Sequence, residues 1–504
     1  MFAAGDIDHR WRGRCLCEVI TILTYQDFEK EPDRLDFIRR AITEHRQSED
    51  FKIAADAELY DRQENSTINA VTRWVFSNDG RRVYDPTSSN NRIASNFFHR
   101  LNTQRVSYLL GNGISFTKHI TEAEQDGQKI RIDETKERFN DNFDTDVYKI
   151  CYSGEIESKS YCYVTYDSSS GCGLHLFPFT EFVPLVDEYD GTLRAGLRYW
   201  SLDWDHRPVT VVLYEKDGIT KYQTKPGSRG LDLMVVEPKH GYNIRTSTTE
   251  AEGTEIIGYE NHFSDLPIIP YYAANEQSTL VGMKASIDAY DLIQSGFAND
   301  LQDCAQIYWL IGGSLGMTDD KLKEFRERLL YQHIAVADLD NSSVTPYTQE
   351  VPHNARQTFL TQMRSNIYEA FGGLDVSQLS GNRRTATEIE ATYNPMDEEA
   401  DAFESRVTDF LRRLLALIGV DDLPTYKRNR IANQYEQTQM IVLAAEYLDR
   451  RTILEKLPWI TVDEVETIMS ATSVEDEERR EADTDEQNDM VYDGNGGFYD
   501  RNSV

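Results

Sequence analysis

Positive charge is scarce in this chain: 53 Lys and Arg stand against 86 Asp and Glu, a formal net charge of −33 over 504 residues. A surface of that sign repels polyanions over most of its area, which excludes static, tight binding of nucleic acid. It leaves room for a protein past which DNA slides, because firm neutralisation of phosphates would hold a duplex in place. Cysteine is sparse as well, and no secretory signal accompanies it. Cys15, Cys17, Cys151, Cys162, Cys172 and Cys304 are therefore read as reduced thiols rather than a disulfide framework. Long apolar runs are missing too. The stretch Cys15 to Leu23 is interrupted by Glu18 and is too short to span a bilayer or to form a signal core, so no membrane contact is expected and the cytosol is the expected place of synthesis.

Signatures of chemistry are equally thin. There is no G-x4-G-K-[ST] segment to cradle a nucleotide triphosphate, Gly312-Gly-Ser-Leu-Gly316 and Gly111-Asn-Gly113 being only short glycine clusters, and there is no H-E-x-x-H helix for zinc. Cys151, Cys162, Cys172 and His175 are donor types that suit zinc, but their spacing lacks the paired short intervals of a zinc ribbon; cysteines of a strand core are the plainer reading. Asp144-x-Asp146 lacks the glycine and the terminal glutamate of a calcium loop and reads as a polar turn. Carboxylates abound, yet nothing selects one pair for acid–base work. No catalytic residue, cofactor or metal is expected.

What the sequence does have is periodicity. At 39% hydrophobic and 11% aromatic residues the composition is that of an ordinary folded protein, and the length exceeds the ~250–300 residues at which a single core stops growing, so two or more packed regions are expected. Leu35, Ile38, Ala41 and Ile42 mark a surface helix between Asp33 and Arg46, and a second helix is expected from about Arg92 to Gly111. Short aromatic and β-branched runs then predict strands at Val147–Ile150, Tyr161–Tyr166, Leu174–Phe179, Leu193–Ser201 and Val209–Tyr214, with turns at Asp190-Gly191 and Asp217-Gly218. Residues 225–262 are weakly patterned and read as loops.

After Pro270 the pattern is helical. A helix is expected from Leu280 to Asp303, apolar round much of its circumference, and another from Asn354 to Phe371 that ends at Gly372-Gly373. Between them sits a compact insertion, 305–352, read as strand, helix (Asp319–Tyr331) and strand (Ile334–Ala337). A polar loop follows, then a capping box at Thr385-Ala-Thr-Glu388, a helix kinked or restarted at Asn394-Pro395 and running on to Gly419, and two further helices at 431–448 and 461–471. The segment Glu475 to Asp489 holds nine acidic residues and two arginines and reads as a solvated, disordered tail.

Several of these segments, in this order, resemble the portal proteins of tailed siphophages that infect Gram-positive hosts. The resemblance covers roughly residues 35–475. It is carried by Asn90-Asn-Arg92 with Tyr108-Leu-Leu-Gly111, by Phe177-Pro178 with Glu181, and by Leu197-Arg-Tyr199-Trp200. More specific are Leu266-Pro-Ile-Ile-Pro270-Tyr-Tyr with Asn275-Glu276, leading to Ile287-Asp288-Ala-Tyr290-Asp291, and Arg428-Asn-Arg430, Glu436 and Arg451-Thr452-Ile-Leu-Glu-Lys-Leu457-Pro458-Trp459 with Asp463-Glu464 and Glu466.

The resemblance implies an α+β portal fold: a mixed, β-rich wing, a stem of long helices, a small α/β clip insertion and an α-helical C-terminal crown. By position the wing takes 1–270 and 387–435, the stem helices 271–304 and 353–373, the clip 305–352, the tunnel loop 374–386, the crown 436–480 and the acidic tail 481–504. It further implies a homo-oligomeric, dodecameric ring at a capsid vertex of the virion, assembled in host cytoplasm. Double-stranded DNA passes through that ring, and the partners are the terminase large subunit, the major capsid and scaffolding proteins, and neck or adaptor proteins. Within the channel the resemblance places Asp288, Asp291, Asp300 and Asp303 on the stem wall, Gln378, Ser380, Asn382, Arg383 and Arg384 in the tunnel loop, and Lys321, Lys323, Arg326 and Arg328 on the docking face of the clip. Arg383 and Arg384 equally suit a solvated pair or an inter-subunit salt bridge.

Geometry permits the conduit. Twelve stem helices packed ~10 Å apart form a ring of ~19 Å radius, and subtracting about 5 Å of helix on each side leaves an opening wide enough for a duplex about 20 Å across. Two rivals remain at this point: a phage-derived nuclease or glycosidase built on carboxylates, separated by a divalent-metal activity assay, and a non-channel minor head protein, separated by electron microscopy.

Overall fold

The computed structural model describes residues 23–76, 80–84, 89–125, 128–201, 208–225, 231–248, 255–303, 308–312, 343–347, 353–375, 386–429, 449–457, 490–493 and 497–500, with isolated positions at 318, 320 and between 441 and 469. It opens with α1 (Tyr25–Lys30), α2 (Arg34–Gln47) and α3 (Glu49–Asp61), each begun by a side chain that accepts from first-turn N–H groups: Thr24, Asp33 and Ser48. The single turn α4 (Ser66–Asn69) leads to a short ribbon, β1 (Trp74–Phe76) paired with β2 (Arg82–Tyr84), and then to α5 (Phe97–Leu110). The start expected for α5 near Arg92 is displaced. The backbone N–H groups of Asn91, Ile93 and Ser95 donate to the side chains of Asn299, Ser295 and Asp291, which holds that stretch extended.

β3 (Ile114–Phe116) and the hairpin β4 (Ile120–Gln125) with β5 (Gln128–Asp133) precede α6 (Phe143–Glu157). Val147–Ile150, expected as a strand, is the middle of this helix. Phe143, Val147, Ile150, Cys151 and Gly154 are all buried and recur at three- and four-residue intervals, a period that a four-residue window conceals. Asp144 and Asp146, expected in a polar turn, occupy its first turn, where the helix dipole favours acidic side chains.

The strands follow: β6 (Lys159–Asp167), β7 (Gly171–Pro178), β8 (Phe182–Val186), β9 (Leu193–Trp200), β10 (Thr210–Glu215) and β11 (Gly218–Thr224). Gly191 and Gly218 sit in the expected turns at φ +68° and +150°, backbone that a Cβ disfavours. Region 225–262, expected as loops, instead carries β12 (Leu233–His240), β13 (Asn243–Thr248) and β14 (Glu255–Glu260). β12 buries only Leu233, so it lacks the alternation by which a strand is read, and among the described residues β13 pairs only with β14. With β15 (Ile268–Tyr272) the chain completes two main sheets, ordered β12-β11-β10-β9-β8 and β15-β6-β7.

The second half holds α7 (Lys284–Asp303), a two-stranded ribbon of β16 (Tyr308–Gly312) and β17 (Ser343–Tyr347), α8 (His353–Phe371), α9 (Ala386–Leu417), β18 (Pro424–Tyr426), α10 (Arg450–Lys456), and a terminal hairpin of β19 (Met490–Asp493) with β20 (Gly497–Asp500). That hairpin lies inside the segment expected to be disordered. The helix does not restart at Asn394-Pro395; α9 is continuous, with Pro395 inside it. The expected helix Asp319–Tyr331, apart from Asp320, and the expected strand Ile334–Ala337 lie outside the described residues, as do most of 431–448 and 461–471.

The core is layered around α6. One cluster joins α5, α6, α9 and the sheet β15-β6-β7 through Val106, Val147, Ile150, Phe403, Val407 and Phe410. A second lies between the two sheets, built from Tyr161, Phe177, Phe182 and Tyr214, and α1 and α2 cover the far face of the larger sheet with Phe28, Phe37 and Ile38. A third joins α3, α5, α7 and α8 through Tyr60, Phe98, Ile287, Ile367 and Phe371. Cys151, Cys162 and Cys172 are free thiols in the first cluster. Cross-strand register puts Cys162 opposite Leu176 but His175 opposite Tyr163, so the histidine lies on the other face of the sheet from the cysteines.

Candidate functional site

α7 and α8 are antiparallel. Ile287, near the start of α7, shares a cluster with Ile367 and Phe371 at the end of α8. At the opposite end Phe297 stacks edge-on with His353 and Asp300 pairs with Arg356. Twenty and nineteen residues make each about 30 Å long. The ribbon β16/β17 joins their far ends. There Gly312-Gly-Ser-Leu-Gly316 spells G-x-S-x-G, but a nucleophile elbow stands at the end of a strand in an α/β sheet, whereas β16 ends in a two-stranded antiparallel ribbon.

The faces of α7 are differently used. Lys284, Asp288, Asp291, Ser295 and Asn299 recur at four- and three-residue intervals and form one polar stripe. Asp288 accepts from the Thr67 hydroxyl at 2.8 Å and from the Tyr60 hydroxyl, and pairs with Lys284 at 3.4 Å. Asp291 is fully buried; it accepts from the Ser95 N–H at 3.0 Å and from the Asn65 amide. Burial raises its carboxyl above the usual carboxylate range, against those hydrogen bonds. The lumen-lining role expected for Asp291 is therefore corrected: a side chain sealed inside its own subunit lines nothing. Asp288 is committed to the same internal stripe, and Asp300 to Arg356. Asp303 ends α7. Sequence periodicity shows which residues share a helical face, but not what covers that face.

The exposed positions of α8 include the amides and hydroxyls of Asn354, Gln357, Thr358, Thr361, Gln362 and Asn366, together with His353, Ala355, Phe359 and Ala370, and one carboxylate, Glu369, near the helix end. The two arginines of this helix turn inward to carboxylates, Arg356 to Asp300 and Arg364 to Asp375, the latter through two hydrogen bonds of 3.1 and 2.8 Å. A face of amides and hydroxyls is unusual in a chain in which 28% of residues are charged.

α8 ends where a loop begins, and the junction is pinned. Gly372 adopts φ +68°; the N–H of Gly372 donates to the carbonyl of Glu369 and that of Gly373 to Tyr368, closing the helix as Gly372-Gly373 predicts. The Gln104 side chain donates to the Leu374 carbonyl at 3.1 Å and accepts from the Leu374 N–H at 3.0 Å. Arg105 reaches the Phe371 carbonyl at 3.3 Å, Glu399 of α9 at 3.1 Å and the buried Glu155 at 3.2 Å. Glu155 also accepts from Arg406 at 3.1 Å and from the Tyr271 hydroxyl at 2.7 Å. Four elements (α5, α6, α9 and β15) thus meet at one carboxylate, and Arg105 ties α8 to them through the Phe371 carbonyl. Arg428, from the Arg428-Asn-Arg430 segment, pairs with Asp397, Asp401 and Glu404 of α9, while the Asn429 N–H donates to the Tyr108 carbonyl at 2.8 Å.

Of the residues expected to act in the channel, Gln378, Ser380, Asn382, Arg383 and Arg384 lie outside the described residues, and so do Lys321, Lys323, Arg326 and Arg328. The structure adds Gln104, Arg105, Glu155 and Arg406, which sequence reasoning passed over. A signal for two of them exists. Arg105 follows Leu101 by four residues and Glu155 follows Cys151 by four, so each places a charge on a stripe that is otherwise buried and apolar.

Among the described residues no helix is long and apolar enough to cross a membrane. A family model described as phage portal protein, SPP1 Gp6-like, matches residues 41–488. The portal protein of Clostridium phage phiCD119 is 27% identical over 222 residues, 42% of this chain and 49% of that protein, so the match spans about half the length of that relative. The portal protein of Bacillus phage SPP1 is 24% identical over 421 residues, 79% of each chain. Among solved structures, a chain from the virion of a native gene transfer agent particle has a TM-score of 0.40 at 10% identity, covering 71% of this chain and 88% of that one. A chain from the neck of the native particle, computed with C12 symmetry, has a TM-score of 0.39 at 10% identity, covering 72% and 90%.

Proposed function

Because the chain belongs to the SPP1 Gp6-like family of phage portal proteins, we propose that copies of it form a ring at one vertex of a phage head, through which the genome is packaged, retained and ejected. It is a structural component of the virion in this reading, with the packaging ATPase supplying the energy and this chain the channel. The antiparallel pair α7 and α8 is the stem, the ribbon β16/β17 with the chain between its strands is the clip that docks terminase and then neck proteins, and the chain after Leu374 is the tunnel loop. The sheets and α9 make the wing.

The observation that carries this reading is the outward face of α8. It is about 30 Å long, it exposes no lysine or arginine outside the internal ion pairs and one carboxylate, Glu369, near its end, and the described residues of its own subunit leave it uncovered. Neutral amides and hydroxyls make hydrogen bonds to phosphates that exchange readily with water, whereas each lysine or arginine on a channel wall adds a counterion-release contact that lowers the rate of sliding. Arg383 and Arg384 then form a single cationic constriction at the tunnel loop, touching phosphates briefly.

Two experiments test this. Electron microscopy of the purified chain should show rings with a central hole; a monodisperse monomer at assembly concentrations refutes the channel. Replacing Arg383 and Arg384 together by alanine should impair packaging or retention of DNA while rings still form. Normal packaging and retention in that variant would refute the constriction.

A further inference from the structure

We propose that the ribbon β1/β2 is a clasp that grips the adjacent copy of this chain, an inference that rests on the ring reading above. The ribbon pairs Trp74 with Tyr84, Val75 with Val83 and Phe76 with Arg82. Trp74 and Tyr84 meet edge to face with centroids 6.4 Å apart, and the Arg82 guanidinium lies 5.1 Å from the Trp74 ring centre. Yet Trp74 is 45%, Val83 47% and Tyr84 52% exposed, and none of these three side chains belongs to a core cluster. Three residue pairs in isolation are marginal in water. Tryptophan, tyrosine and arginine presented together are the residue types that dominate the centres of protein interfaces.

The feet of the ribbon say where it stands. Ahead of it, Thr67 and Asn65 are hydrogen-bonded to Asp288 and Asp291. Behind it, the N–H groups of Asn91, Ile93 and Ser95 donate to Asn299 at 2.6 Å, Ser295 at 2.9 Å and Asp291 at 3.0 Å. The Asn90 amide closes the base onto the Val71 carbonyl at 3.4 Å. Both feet are thus stapled to the single polar stripe of α7, which explains why that stripe is turned inward. A ribbon fixed to the stem helix lies beside the stems of neighbouring copies in the ring, and α7 itself leaves Leu292, Ile293 and Leu301 exposed.

Charge selects a second copy as the occupant. Between residues 73 and 84 the chain has Arg73, Arg81 and Arg82 against Asp79, a positive segment in a protein of net charge −33. The surface it meets on another copy is therefore predominantly acidic, and attraction across the contact favours it over self-repulsion elsewhere.

The test uses the full chain with a photo-reactive benzoyl-phenylalanine at Val83. Irradiated rings should give a ladder of covalent oligomers. Trp74→Ala with Arg82→Glu should raise the concentration needed for ring assembly at least about tenfold, with the circular dichroism and melting of the subunit unchanged. If wild-type rings form but the probe links only within its own chain, or only to an added short DNA duplex, or if the double variant assembles like wild type, the clasp is overturned and the ring stands. If the wild-type chain forms no ring, the portal reading falls and the clasp falls with it.

Discussion

Replacing Glu155 by glutamine should destabilise the subunit more than its small change of shape suggests. Glu155 is fully buried, and its partners Arg105 and Arg406 expose only 10% and 18% of their side chains. The glutamine oxygen can still accept from Arg406 and Tyr271, but its amide then faces Arg105, and two guanidinium groups share a site without the charge that offsets their desolvation. Breaking a buried pair from one side costs about 3–5 kcal/mol. Arg105 keeps Glu399 and the Phe371 carbonyl, so the lower end applies. For a cooperative unit of about 200 residues a loss near 3 kcal/mol lowers Tm by on the order of 10 °C. Scanning calorimetry of the full chain measures this directly. The companion variant is Glu155→Leu with Arg105→Met and Arg406→Met, which removes every charge and keeps the volume; replacing a buried ion cluster by apolar side chains is commonly neutral or stabilising. It should recover at least half of the lost Tm. A drop below about 2 °C for Glu155→Gln, or a triple variant no better than the single one, would refute the argument that uncompensated charge dominates this junction.

Glu157 gives a pH dependence. Burial pushes its carboxyl up to about 7 from 4.5; the Thr180 N–H opposes this and the nearby Glu58 carboxylate adds to it. Because the folded value is the higher one, the folded state binds more protons between about pH 4.5 and 7, and stability contributed by this group is lost as pH rises through that window. The penalty at pH 8 is on the order of 3 kcal/mol. Glu157→Gln should therefore melt higher than wild type at pH 8 and show a flatter profile from pH 5 to 7; an unchanged profile would remove Glu157 as its source. If α8 lines the channel as proposed, Gln357→Arg with Thr361→Arg should leave assembly intact but slow packaging, with the defect shrinking at higher salt as phosphate contacts weaken. Salt-independent slowing would instead indicate a distorted helix, and normal packaging would take α8 off the channel wall.

Much of the architecture could be read from residue order because its signals are local. Gly372-Gly373 stops α8 by a backbone conformation, and the aromatic and β-branched runs that become β6, β7, β9 and β10 are likewise local signals. What escaped reading depended on long-range packing. α6 is buried on nearly every side, so its apolar residues crowd together and the run Val147–Ile150 mimics a strand. β12 lies at a sheet edge and exposes Met234, Val235 and Val236, which erases alternation. The aspartates of α7 were visible as a stripe, but the sequence alone does not tell that coil 91–95, some two hundred residues earlier, lies along it.

That stripe also bears on how an acidic chain could serve as a DNA channel. A ring repeats each side chain at one height, so an uncompensated charge on the stem becomes a belt of like charges within a few ångströms of the duplex, inside the ~8 Å over which salt fails to screen it. A negative belt would repel the genome and a positive one would hold it. The structure disposes of both on the described residues of α7 and much of α8: Lys284 pairs with Asp56 and Asp288, Asp300 with Arg356, and Arg364 with Asp375, all within the subunit. The remaining outward side chains of α8 are mainly amides and hydroxyls. Net charge, which first argued against any contact with DNA, is thus the wrong quantity for this function. The relevant one is the charge left over on a single helical face, and on α8 pairing inside the subunit leaves Glu369, near the helix end, as the exposed carboxylate.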